Sequence, residues 1–217
     1  MTGNRWAMLA SNKAILAELF RDNPAEIASY LTENMKKNDF DAARTSLSRV
    51  VQAQNVQILA RDAGLRRDTL YRTFGGRIDP QLSRILRLFD SLNVQAGVVL
   101  ADPSQVQTAP SWTGLDASEA FAKRLTQGFA GNGFEEALLA LREAVLSQNV
   151  SALARAAGIE RRTMYKTFGG TVDPHLSRIL KVLAAMQLRL LVVALPHRSG
   201  PPRPKLGRPS KASKTSK

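Results

Sequence analysis

Apolar residues recur at helical spacing along most of this chain, and the series runs twice. Near the start, Trp6, Leu9, Ile15, Leu16, Leu19 and Phe20 punctuate a segment that also holds Arg5, Lys13 and Glu18. That spacing predicts an amphipathic helix within residues 1–22 rather than a signal peptide. Asn23-Pro24-Ala25-Glu26 then supplies an N-cap, a proline at the first helical position and a glutamate to close the box. Ile27, Tyr30, Leu31 and Met35 form the stripe of the helix that follows, and a further helix is predicted from Phe40 to Gln52. Next, Leu59, Ala60 and Ala63 share one face of a short helix, Gly64 makes a turn, Leu65 is buried after it, and Leu70 anchors a second short helix. Asp79-Pro80 caps a final helix carrying Leu82, Ile85 and Leu86.

The same order returns 94 positions later. Asp116-Ala117-Ser118-Glu119 stands for the first cap, Phe121, Leu125 and Phe129 for the first stripe, and Phe134 to Leu146 for the second helix. Leu153, Ala154, Ala157, Gly158, Ile159 and Met164 repeat the short helix pair, and Asp173-Pro174 precedes Leu176, Ile179 and Leu180. Asn38 and Asn132 occupy equivalent turns. Between residues 54–94 and 148–188, about 22 of about 41 aligned positions are identical, so the chain is two copies of one unit. Each unit reads as about five helices. Beyond the last helix, Val98-Val99 and Val192-Val193 end equivalent apolar runs, which leaves two readings open: short strands that pair with each other, or a helical extension. Residues 100–115 are rich in Pro, Ser, Thr and Gly and read as a linker, with Trp112 docked on a core. The predicted organisation is an N-terminal helix over 1–22, units over 23–99 and 116–196 around that linker, and a tail over 197–217.

The paired short helices have the spacing of a helix-turn-helix. Ala60 and Ala154 are small enough for the second helix to cross close above the first, while Gly64 and Gly158 permit the positive φ that ends the first helix. The run ASYLTENMKKNDFDAARTSLSRVVQAQNVQILARDAGLRRDTLYRTFGG, followed by Asp79-Pro80 and Leu82 to Leu86, resembles the addiction-module antidote proteins, small antitoxins of the lambda-repressor-like helix-turn-helix class. The resemblance is carried by Tyr30-Leu31, Asp39 to Ala43, Leu59 to Tyr71 and Asp79-Pro80. The second copy keeps Leu153-Ala154-Arg155, Ala157-Gly158, Arg161 and Tyr165. It implies an all-α fold of two tandem helix-turn-helix units and DNA binding more firmly than it implies neutralising a toxin. Members of that family usually have one unit and pair with a toxin, whereas this chain has two units and a long basic tail.

Charge points the same way. The chain has 31 basic and 18 acidic side chains, a net charge of +13, and a pI near 10.7. Residues 197–217 hold seven of the basic residues and no acid, which leaves the rest net positive at 24 against 18. A basic fold with a more basic tail is the electrostatic footprint of a protein that meets nucleic acid. Cysteine is absent, which removes disulfides, thiolate metal sites and a cysteine nucleophile. His175 and His197 are the two imidazoles, and both read as solvent-facing. No HExxH, phosphate loop or GxSxG occurs, and Gly75-Gly76 and Gly169-Gly170 read as helix terminators, so neither an enzyme nor a cofactor is expected. The longest apolar stretch, Leu183 to Leu195, is short and broken by Gln187 and Arg189, so no membrane span is expected and a cytoplasmic, nucleoid-associated protein is the default.

If the second short helix of each unit enters a major groove, its outward residues in the first copy are Arg66, Arg67, Asp68, Thr69, Tyr71 and Arg72. In the second copy they are Arg161, Arg162, Thr163, Tyr165 and Lys166. Arg67 and Arg161 are the best guanine readers, because a guanidinium fork spans O6 and N7 together. Arg72 and Lys166 could reach a base or a phosphate, and the tyrosine hydroxyls a phosphate. Asp68 against Arg162 and Arg66 against Glu160 predict half-sites of unlike sequence. The tail is expected to be disordered when free. It offers Arg203, Lys205 and Arg208, and its Gly207-Arg208-Pro209 resembles an AT-hook, with Leu206 where an arginine is usual; the alternative is nonspecific phosphate binding. Half-sites would lie about 34 Å apart, a gap that a linker of about 16 residues can span at roughly 50 Å. The expected function is a sequence-specific, double-stranded-DNA-binding transcriptional regulator, acting as a monomeric pseudo-dimer or a homodimer. The alternatives are an antitoxin or antiactivator that binds a toxin or transcription factor, and an architectural nucleoid binder.

Overall fold

A computed structural model of the chain describes residues 13–102 and 115–196. Trp6, Trp112, His197 and the tail candidates Arg203, Lys205 and Arg208 lie outside the described residues. The first unit is helical through α1 (Lys13–Phe20), α2 (Pro24–Met35), α3 (Phe40–Ala53), α4 (Val56–Asp62), α5 (Arg67–Phe74) and α6 (Leu82–Ser91), then ends in a strand, β1 (Val94–Leu100). The second repeats the order as α7 (Leu115–Phe129), a 3₁₀ turn (Ala130–Asn132), α8 (Phe134–Leu146), α9 (Val150–Ala156), α10 (Arg161–Phe168), α11 (Leu176–Ala185) and β2 (Leu188–Ala194).

Several helices begin where a side chain satisfies their free N–H groups. Asn23 caps α2 through Glu26 N at 3.3 Å with Pro24 next in line, and Asp39 caps α3 through Ala42 N at 3.0 Å. The helix predicted to start after Asp116 begins earlier, since α7 runs from Leu115. Pro24 of the first copy corresponds to Ser118 of the second. Without the pyrrolidine ring the helix extends backwards by another turn, and Ser118, 1% exposed, donates instead to Met186 O at 3.3 Å. Phe20, Tyr30, Leu31, Leu47 and Leu59 of the first unit, with Phe20 and Tyr30 rings 5.1 Å apart, and Phe129, Leu141, Leu153 and Phe168 of the second belong to one continuous core.

An all-α fold is corrected by β1 and β2, which pair antiparallel from Val94 opposite Ala194 to Leu100 opposite Leu188. The cause lies at Asn93 and Gln187. Both take positive φ, +57° and +59°, which stops α6 and α11 and leaves the following apolar runs extended. Extended backbone needs partners, and the other copy supplies them. Val94, Ala96 and Val98 alternate inward on β1, as do Leu188, Leu190 and Val192 on β2.

The strands cross between the copies. β2 lies along α2 of the first unit and β1 along α7 of the second. Thr32 Oγ1 donates to Val192 O at 3.0 Å and accepts from Val192 N at 2.8 Å, and Thr126 Oγ1 brackets Val98 in the same way, at 2.9 Å to both groups. Asn38 and Asn132 donate to Leu188 O and Val94 O at 2.7 and 2.8 Å. These side chains occupy the outer edges of the ribbon, where unpaired backbone would otherwise be left. Replacing Thr32 by Val keeps the shape but strips both partners from Val192, and is expected to destabilise the protein by about 1–3 kcal/mol in chemical denaturation.

A second set of crossed contacts revises the reading of the Asp-Pro pairs. Asp79 and Asp173 do not cap the helix that follows in their own unit. Asp173 accepts from Ser83 N at 3.2 Å and from Ser83 Oγ at 2.6 Å at the start of α6, while Asp79 accepts from Ser177 N at 3.2 Å at the start of α11. Leu82 N donates to Pro174 O and Leu176 N to Pro80 O, both at 2.9 Å. Gln81 and His175 face each other across the bridge. The expectation of a solvent-facing His175 is corrected, because its ring is half-buried here with Nδ1 2.9 Å from Asp79 O.

Candidate nucleic-acid interface

α4 and α5 are joined by a turn whose geometry follows from one residue. Gly64 takes φ +61°, Leu65 N reaches back to Ala60 O at 2.9 Å, and Gly64 N bonds Arg61 O at 3.1 Å. The pair of bonds closes α4 with a left-handed residue that would cost a side chain about 1–2 kcal/mol. Gly158, also at +61°, does the same between α9 and α10. Leu65 and Ile159 are half-buried against the core rather than fully buried. Leu70 and Phe74, and Met164 and Phe168, are buried and fix which face of each second helix turns outward. At the far end of that helix, the buried Thr73 hydroxyl accepts from Arg84 Nη1 at 2.9 Å, and Thr167 accepts from Arg178 likewise.

The outward faces carry the predicted residues. Arg66, Arg67, Asp68, Tyr71 and Arg72 are exposed on the first unit and Thr69 is half-buried. Arg161, Arg162, Tyr165 and Lys166 are exposed on the second, and Thr163 is half-buried. The structure adds an arrangement within each face. Arg67 lies over the Tyr71 ring with its guanidinium carbon 5.6 Å from the centroid, and Arg161 lies over Tyr165 at the same distance. One turn of helix separates the members of each pair, so the cation rests on the ring, worth about 0.5–1 kcal/mol at an exposed site. The tyrosines are 43% and 45% exposed, so each ring is a platform rather than a core filler.

The cations of these faces lack ion-pair partners among the described residues. Arg21, Arg44, Arg61 and Arg124 form ion pairs with carboxylates, whereas Arg66, Arg67, Arg72, Arg161, Arg162 and Lys166 form none among the described residues. Arg67 and Arg161 open their helices, where a positive charge opposes the macrodipole by about 0.3–1 kcal/mol. Arg66 and Glu160 stand at the N-cap positions without a side-chain cap bond.

A shallow groove of about 430 Å³ runs beside Arg67 and Tyr71 and is bordered by Gln52, Asn55 and Gln57. Gln57 is exposed at the start of α4, where Asn55 Oδ1 accepts from Gln57 N at 3.2 Å and Ile58 N at 3.4 Å. Gln57 and Arg67 border the same space. Sequence reasoning misses Gln57, although the Gln-Asn-Val run shared by both copies marks the helix start that brings it there. Ser151 replaces it in the second unit. Among the described residues there is no group of three His, Cys, Asp or Glu side chains placed to hold a metal, and no helix long and apolar enough to cross a membrane.

The family model of the probable addiction module antidote proteins matches the chain twice, over residues 13–100 and 108–194. The chain belongs to that family. Both matches run to the end of a strand, so the matched span of each copy includes the strand that crosses to the other. An uncharacterized protein of Haemophilus influenzae is 30% identical over 70 residues, covering 32% of this chain and 72% of the relative. No solved structure matches.

Proposed function

We propose that this chain is a sequence-specific double-stranded-DNA-binding regulator of the antidote type, in which α5 and α10 are the recognition helices of two helix-turn-helix units. The observation that carries the proposal is the repeated Arg–Tyr platform, Arg67 on Tyr71 and Arg161 on Tyr165, on the unpaired cationic face of each unit. A guanidinium held over a ring has lost part of its rotational freedom before it meets a base, and its planar fork matches guanine O6 and N7. Thr69, Thr163, Asp68 and Arg162 flank it along the groove, while Arg66, Arg72, Lys166 and the tyrosine hydroxyls are assigned to phosphates. Gln57 joins this set at the start of α4, the helix that would cross the backbone.

A second reading is favoured by the family's description as antidote proteins: the chain binds a toxin and holds it inactive. A salt series on random and selected duplexes separates the readings. A regulator shows about 10³-fold or greater preference for selected sequence, and an architectural binder shows a steep salt slope without preference. A chain that acts through a protein partner alone shows neither result. Removing residues 197–217 takes away seven cations. The truncation is expected to flatten the salt slope by about 0.9 for each phosphate the tail neutralises, while leaving base preference in place.

A further inference from the structure

The two units are related by a twofold axis. A shift of 94 positions turns the contacts between them into their own reciprocals: Thr32 on Val192 becomes Thr126 on Val98, Asn38 on Leu188 becomes Asn132 on Val94, and Ser83 on Asp173 becomes Ser177 on Asp79. Gln81 and His175 exchange with each other, as do Gly97 and Leu191, which face each other at the centre of the ribbon. Interchanging partners define an isologous interface, the kind found in a symmetric dimer. A tandem repeat in sequence has therefore folded head to head rather than head to tail.

We propose, resting on the DNA-binding reading above, that one molecule of this chain occupies one inverted-repeat DNA site with two unlike halves, and does so in a single orientation. If α5 and α10 both engage one duplex, their twofold must coincide with a local dyad of the DNA, which relates the halves as an inversion. Two heads held by a packed ribbon cannot satisfy a direct repeat. The bases read are not symmetric, because the chemistry at equivalent positions differs. At equivalent exposed positions Asp68 stands against Arg162, Arg66 against Glu160 and Gln57 against Ser151, a carboxylate against a guanidinium in the sharpest case. Asp68 accepts from cytosine N4 and repels phosphate, whereas Arg162 donates to guanine or phosphate. A true homodimer on such a site has no polarity. Here the two ends of the protein are distinguishable, so the bound complex points one way along the duplex.

The absence of cysteine makes the test direct. A duplex is selected from a random pool with the full chain, then rebuilt with its halves inverted, in direct repeat, or with one half replaced. In parallel, Arg61→Cys and Arg155→Cys place one thiol beside α5 or α10, each carrying an iron chelate that cleaves nearby DNA. The expected results are one chain per inverted site, about 100-fold or greater loss of affinity when one half is reversed or replaced, and cleavage by each label at its own half only. A selected direct repeat, two chains per inverted site, or equal cutting of both halves by each label overturns this inference and leaves the DNA-binding reading standing. A pool that yields no enriched duplex overturns both.

Discussion

Deleting residues 188–217 is expected to loosen the first unit as well as the second. Leu188, Leu190 and Val192 are buried, and they lie along α2, more than 150 positions earlier in the chain. Burial of three such side chains is worth about 5–9 kcal/mol at roughly 1.5–3 kcal/mol each, comparable with the whole stability of an ordinary domain. The deletion also strips Thr32 and Asn38 of their backbone partners and leaves β1 without a strand to pair with. Hydrogen exchange reads the outcome locally. The amides of α2 should lose most of their protection in the truncated chain, while a chain ending at Pro196 keeps it. Full protection of α2 without β2 would show that the crossed strand is an ornament on two independent units.

The second large effect is on binding. Arg67→Ala and Arg161→Ala are each expected to weaken binding to the selected duplex by about 1–3 kcal/mol, at one base position and not elsewhere. The two residues sit on separate units and share no partner, so the double variant should lose about 2–6 kcal/mol, roughly 30-fold to 10⁴-fold. Folding stability should move the other way or not at all. Each substitution removes a cation from the start of a helix, a change worth up to about 1 kcal/mol in favour of the fold, offset in part because the tyrosine ring no longer carries a guanidinium. Weaker binding with unchanged or raised denaturation midpoints distinguishes a reading residue from one that merely supports α5 or α10.

Much of the fold is legible in residue order alone because the signals are local. The stripe Ile27, Tyr30, Leu31, Met35 sets one face of α2 regardless of what covers it, and Gly64 fixes the turn whatever lies beyond. The crossing of the units is not legible, for a reason built into duplication itself. Asp79 and Asp173 precede near-identical helix starts, so a cap predicted from sequence fits its own unit and the other equally well. The geometry chooses the other. Val94 to Leu100 and Leu188 to Ala194 are ambiguous for a related reason, since a strand is defined by a partner that can be far away in sequence, and these two are each other's partner. Asn38 and Asn132 illustrate both points. Their equivalence is plain in the sequence, whereas their bonds to Leu188 and Val94 depend on the strands crossing between the copies. His175 is misplaced by sequence reasoning because polarity and a neighbouring proline favour the surface when the opposing Gln81 is unknown. On the outward faces, residue type and register give Arg67 and Arg161 their positions. Their seating on Tyr71 and Tyr165 follows from the four-residue spacing, a relation open to inspection once the helix is granted.

The central claim is that α5 and α10 lie in major grooves, and methylation of guanine N7 addresses it directly. On the selected duplex, methylation should block binding at two clusters of guanines about one helical turn apart. Sensitivity should vanish at one guanine in the Arg67→Ala variant and at a guanine of the other cluster in Arg161→Ala. Interference confined to adenine N3 in the minor groove, or a pattern that neither substitution alters, would contradict the account.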